Sequence, residues 1–219
     1  TPVSDMSFSV KLPHLNLEWA GANLRTLFVQ KRNLVRPGFW RMIRDILNFN
    51  KRSHALLAEL RGSRLTLGEL IAREGYSIEF RDWYLLPMGA AIWSSPMDEM
   101  ADFPAETFIQ FCINHGLMQV NDRPQWKTIR GGSREYVHRL VSALQLHSVA
   151  ITRQKVLCVT VNEDPKTGGK IAIQTAQGIQ YFDEVVMACH SDESLHLVQG
   201  NSAAEKAVLA KIPYQQNRA

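Results

Sequence analysis

Apolar positions recur along this chain with two different periods, and the change between them falls near Leu146. Before it, the period is mostly that of a helix. Phe39, Met42, Ile43, Ile46, Phe49, Leu56, Leu57 and Leu60 follow a helical repeat behind Arg36-Pro37-Gly38. They predict an amphipathic helix of about five turns, with Arg41, Arg44, Asn48, Lys51 and Arg52 on its other face. Thr66 and Glu69 make a capping box for a short helix ending at Gly75, and Ser77 caps the next, which runs through Tyr84 to Trp93. Pro87 has no N–H to donate back along that helix and should kink or break it. Pro104 suits the first turn of a helix carrying Phe108, Ile109 and Cys112 to Gly116, and Ser133 starts another that ends near Leu144. Ahead of the helices, Ser7 to Val10 and Asn16 to Trp19 alternate apolar and polar residues around Leu12-Pro13-His14, the pattern of a β-hairpin.

After Leu146 the alternation is that of strands. Val156 to Val161, Lys170 to Thr175, Ile179 to Phe182 and Val185 to Cys189 read as four short strands. Turns at Pro165-Lys166-Thr167-Gly168-Gly169 and Ala176-Gln177-Gly178 join the first three into a meander. Val185 to Cys189 is apolar throughout, which predicts a strand buried on both faces that feeds a helix start at Ser191-Asp192-Glu193. Ser202 and Glu205 form a second capping box for the last helix. The predicted class is α+β.

With 219 residues, 45% of them hydrophobic, the chain can bury a sizeable core in one large domain or two small ones. No apolar run reaches the roughly 18 residues that cross a bilayer. Cys112, Cys158 and Cys189 lie far apart without ligand spacing, so neither a disulfide framework nor a zinc site is indicated; buried thiols in a reducing, cytoplasmic compartment are expected. The chain opens on Thr1-Pro2-Val3 without a Met, and it is expected to be a piece of a longer protein. Net charge is +4, but the ten Lys/Arg between Arg25 and Arg64 meet only Asp45 and Glu59. Such asymmetry suits a solvated helix face or an acidic partner: a membrane surface contacted peripherally, nucleic acid, or an acidic face of the same protein. Nucleic acid is disfavoured, because Phe39, Trp40 and Phe49 fall in the core phase of the helix rather than on a stacking platform.

The sequence contains no GxGxxG, P-loop, HExxH or GxSxG motif. Asp98, Glu99 and Asp102 precede a helix, where acids complement its dipole. His190 and His196 stand six apart, too far round a helix to share a metal, and no third partner joins Ser133 and His138 in a hydrolase triad. Gly131-Gly132-Ser133 lies before a helix, where paired glycines allow close backbone approach and leave N–H groups free, as at cofactor sites and at plain caps.

Taken together, Phe80-Arg81-Asp82-Trp83-Tyr84-Leu85-Leu86-Pro87-Met88, Ile92-Trp93-Ser94, Asp102-Phe103-Pro104-Ala105, Asn114-His115-Gly116-Leu117, Arg123-Pro124-Gln125-Trp126 and Gly131-Gly132-Ser133-Arg134-Glu135-Tyr136-Val137 resemble the flavin-containing amine oxidoreductase family. The likeness is greatest to its bacterial predicted NAD/FAD-binding oxidoreductases, relatives of monoamine oxidase, protoporphyrinogen oxidase and phytoene desaturase. The resemblance implies an internal fragment lacking the N-terminal Rossmann motif. Residues 1–147 would be a substrate or cap region, 148–200 the meander and buried strand of a split FAD-binding domain, and 201–219 a helix and return to the substrate domain. It further implies that Val156, Ala188, Cys189, Gly131 and Gly132 approach FAD, and that Gln125, Trp126, Trp93 and Tyr84 line a cavity for a small-molecule substrate.

The implied chemistry is hydride transfer from a C–N or C–C bond of an amine or apolar substrate to flavin. Catalytic residues stay unassigned; Lys127 is a candidate by position for the family's flavin-proximal lysine. The fragment alone is expected to be inactive and not to retain FAD, and its exposed strand edges could pair in a homodimer. The alternative is a basic module that binds anionic lipid or nucleic acid without redox activity.

Overall fold

A computed structural model describes residues 2–4, 8–119, 124–162, 164 and 168–214. Ser7 of the predicted hairpin, Arg123 of the aromatic motif and the turn residues Pro165, Lys166 and Thr167 lie outside the described residues. The chain divides into two compact units, Thr1–Ser133 and Arg134–Ala219, and the fold is α+β. Among the described residues no helix is long and apolar enough to cross a membrane.

In the first unit, β1 (Val3–Ser4) precedes the hairpin of β2 (Ser9–Leu12) and β3 (Leu17–Ala20). Val10 stands opposite Trp19 and Leu12 opposite Leu17, so the two-residue period puts Val10, Leu17 and Trp19 on the buried face. A single turn of 3-10 helix, Pro13–Leu15, joins the strands. Asn16 closes that turn at φ 47°, in the left-handed region that asparagine tolerates. α1 (Leu24–Leu27) starts at a capping box of Asn23 and Thr26.

α2 (Pro37–Glu59) is the spine of the unit, longer than expected at 23 residues, and it buries Phe39, Met42, Phe49 and Leu56. Trp40 departs from the predicted core phase. One residue on from Phe39 is a rotation of about 100°, which carries this indole out to a half-exposed position against Phe28, its Nε1 donating to the Leu34 carbonyl at 2.8 Å.

α3 (Leu67–Arg73) has its predicted capping box, and Ser77 caps α4 (Ile78–Phe80). The chain then passes through a wide π-type turn, Arg81–Leu85, into α5 (Leu86–Trp93). Pro87 explains the widening. It has no N–H for the carbonyl four residues back, and the helix opens by one residue instead of ending. α6 (Ala105–Asn114) follows Pro104, and β4 (Trp126–Lys127) pairs antiparallel with β1.

Part of the basic face of α2 is used inside the unit: Arg41 pairs with Glu79, Arg52 with Glu74, and Arg44 with Asp45 at 3.0 Å. Among the described residues Arg25, Lys31, Lys51, Arg61 and Arg64 have no acid partner.

The second unit holds α7 (Arg134–Leu146), the predicted meander of β5 (Val156–Val161), β6 (Ile171–Thr175) and β7 (Gly178–Phe182), then α8 (Ser191–Leu197) and α9 (Ala203–Leu209). The strands are antiparallel in the order β5-β6-β7, and Ser202 and Glu205 box α9 as predicted. The expected fourth strand does not form. Val185 to Cys189 is unpaired and Val186 is 90% exposed. A strand buried on both faces needs ladder partners, and the outer edge of β5 is met at Val159 by Val198 instead. Cys189, at the end of this run, is consequently exposed, whereas Cys112 and Cys158 are buried as expected.

Candidate functional site

A cavity of about 880 Å³ opens in the first unit, walled by Phe8, Trp19 and Gly21 to Asn23 on the hairpin side, by Met88, Ala91 and Ile92 of α5, by the end of α6, and by Pro124 to Trp126. That size suits a drug-sized organic molecule. Tyr84, Gln125 and Trp126, expected at a substrate cavity, all line it.

Tyr84 reaches the cavity from the core. The wide turn 81–85 places its ring 5.7 Å from Phe80, which packs at a tilt 5.4 Å from Phe49 of α2; Tyr84 also meets Trp19 at 6.1 Å and Phe8 at 6.4 Å. The aromatic row ties one cavity wall to the spine helix. Tilted and edge-on ring pairs of this kind contribute beyond simple burial.

The opposite wall depends on one glycine. α6 ends in a left-handed turn at Gly116, φ +66°, with Leu117 N–H returning to the Cys112 carbonyl at 2.9 Å. A Cβ at Gly116 would lie 2.5 Å from Pro124 Cγ, so only glycine lets the segment 124–126 close against the helix end. Trp126, held by the pairing of β4 with β1, then lies parallel to His115 at 5.9 Å, and His115 lies parallel to Phe111 at 4.0 Å. His115 therefore has a parallel aromatic neighbour in each of Phe111 and Trp126.

Trp93 does not line the cavity. It packs 4.7 Å from Phe103 and 4.7 Å from Phe111, supporting the His115 wall from behind. Trp93 and Ile92 are neighbours on α5, and the helical rotation turns one into the core and the other toward the cavity. Sequence reasoning missed Phe8, Trp19, Met88, Phe111 and His115. The i, i+4 pair Phe111 and His115 ahead of a glycine was the available signal.

Tyr84, Asn23, His115 and Gln125 supply the polar groups, and no Asp, Glu, Lys or Arg lines the cavity among the described residues. Lys127, one residue beyond Trp126, is exposed and not among the lining residues. Burial pushes the Cys112 thiol on α6 up to about 12, so it stays protonated and unreactive. Among the described residues no group of His, Cys, Asp and Glu could hold a metal.

The residues assigned to FAD do not form a site for it within their own units. Gly131 and Gly132 adopt φ +83° and +86° in an exposed turn closed by Gly132 N–H to the Ile129 carbonyl at 2.9 Å, and a Cβ at Gly132 would meet nothing within 4 Å. That is an open turn rather than a cradle. In the second unit Val156 opens β5 half-buried, whereas Ala188 and Cys189 are exposed on the unpaired run, with Cys189 Sγ 3.3 Å from Ser194 Oγ. A diphosphate needs convergent N–H donors or cations, and neither the glycine pair within the first unit nor Val156, Ala188 and Cys189 within the second supplies that set alone.

No protein-family model matches the chain, and no curated protein matches it.

Proposed function

We propose that this chain supplies the substrate cavity of an FAD-dependent, amine-oxidase-like oxidoreductase, with FAD held mainly by sequence outside these 219 residues. One observation carries the reading. Tyr84 on a helix turn and Gln125 and Trp126 some forty residues later, singled out together by the family likeness, line the same aromatic cavity. The lining favours an uncharged apolar substrate over a charged amine, since an ammonium taken out of water without a carboxylate is costly. The stacked rings of Phe111, His115 and Trp126 offer a stiff aromatic wall, and the His115 ring nitrogens and the Gln125 amide can orient a polar atom of the substrate. Such a wall fixes the substrate's orientation and keeps water off it.

The test is to purify the chain joined to the natural sequence preceding Thr1 and record its visible spectrum. Bound oxidised flavin is the expected result; a colourless, folded protein that takes up no added FAD would contradict the proposal.

A further inference from the structure

Within residues 24–40 five large apolar side chains face solvent: Leu24 at 74% and Val35 at 82% exposure, with Val29, Leu34 and Trp40 about half exposed. Single exposed apolar residues are ordinary, but here they share a short segment with Arg25, Lys31, Arg32 and Arg36 and no acid. The segment is also pinned in place. Gln30 Oε1 accepts from Glu18 N–H at 3.0 Å, Arg36 donates to the Leu15 carbonyl at 3.1 Å and lies over the Trp83 ring, and Arg32 donates to the Asn16 carbonyl. Trp40 packs on Phe28 and bonds to Leu34, gathering the 28–40 side chains together.

The charges are not neutralised by these bonds. Arg32 and Arg36 meet neutral carbonyl oxygens, and Arg25 and Lys31 have no acid partner among the described residues. The Glu79 carboxylate, which lies against Gly38, is taken up by Arg41. This differs from the polar face of α2, where Arg41, Arg44 and Arg52 are already paired.

We propose that residues 24–40 form a docking surface for a bilayer containing anionic phospholipid. Cationic side chains interleaved with exposed aliphatic ones match an interface with phosphate groups outside and acyl chains beneath. Aliphatic Leu24 and Val35 gain nothing from a nucleic-acid backbone, and Trp40 is engaged with Phe28 rather than free to stack on bases. Gly21, Ala22 and Asn23, which line the cavity, run directly into this segment, so docking brings the cavity wall beside the lipid. The surface stands whether or not the protein carries flavin.

Flotation of the 219-residue chain with phosphatidylcholine vesicles, with and without phosphatidylglycerol, tests it. Binding to the anionic vesicles is expected, roughly fivefold or more above phosphatidylcholine alone. The double variant Leu24→Asp, Val35→Asp should lower partitioning about tenfold with an unchanged circular dichroism spectrum. Arg25→Gln with Lys31→Gln should weaken binding and flatten its salt dependence. Four results would overturn the proposal: no flotation with anionic vesicles, binding indifferent to the apolar substitutions and fully reversed by salt, a preference for a single-stranded oligonucleotide over vesicles, or self-association abolished by the Asp variant without any lipid binding. A colourless longer protein would sink the redox reading and leave this one untouched.

Discussion

Gly116 decides whether the cavity has a second wall. Its left-handed backbone and the approach of Pro124 act together, so Gly116→Ala should lower stability by about 1–3 kcal/mol and loosen the 124–126 segment. Gly75 is the useful comparison, because its φ of +69° is similar but nothing lies within 4 Å of a Cβ there. Gly75→Ala should cost only the backbone term, and thermal melts of the two variants separate these contributions. The sequence showed Gly116 only as part of a motif, and His115 read as one scattered histidine. What made His115 part of a wall was Trp126 folding back over it after the helix ends ahead of Gly116, a contact that helical periodicity does not encode.

At the scale of elements, α2 is clamped by carboxylates from the segment that follows α3. The Arg41 guanidinium, hydrogen-bonded to Glu79, holds that carboxyl below the usual carboxylate range despite partial burial. For Asp45, burial pushes upward, but the Ser77 hydroxyl, the Ser77 N–H at 2.9 Å and Arg44 outweigh it; for Glu74, Arg52 and Arg73 likewise outweigh burial. All three are lowered in the folded state. Their stabilisation is therefore complete above the unfolded range of about 4 and is lost as pH falls through the lower folded values. Melting temperature should drop between about pH 5 and pH 2, and Glu79→Gln or Asp45→Asn should flatten that drop. Asp45→Ala should cost about 1–3 kcal/mol, since it leaves the half-buried Ser77 N–H without its acceptor.

The amphipathic stripe and the helix N-caps at Thr66, Ser77 and Ser202 were legible because they are local, although the equally local Asn23 and Thr26 box went unread. The pairing of Arg41 with Glu79 across 38 residues was not. Val185 to Cys189 misled for a related reason: an apolar run signals burial, but only a paired neighbour makes it a strand, and this unit provides none among its described residues.

Across the whole molecule the two units differ in how completely they bury their apolar residues. The first has a continuous core from the hairpin through α2 to α6. Among the described residues of the second, only Cys158, Val159 and Ser194 are buried. Tyr136, Val137, Leu140 and Leu144 lie exposed along α7, and β7 pairs only with β6 among the described residues. Such surfaces favour association. Sedimentation at rising concentration should show a dimer or larger species, and a monomer throughout would argue against these faces as interfaces. The chain purified alone should be colourless, because it carries no GxGxxG loop to hold the FAD diphosphate; a retained flavin spectrum would refute that.

The central claim is that the cavity between the hairpin, α5 and the end of α6 binds an uncharged apolar molecule. Titration of the chain with N-phenylnaphthylamine, read by fluorescence, tests it most directly. Saturable binding is expected, weakened roughly tenfold by Trp126→Ala and by His115→Ala and unchanged by Leu140→Ser on the exposed face of α7. No saturable binding, or equal binding by the unaltered chain and both cavity variants, would contradict the claim.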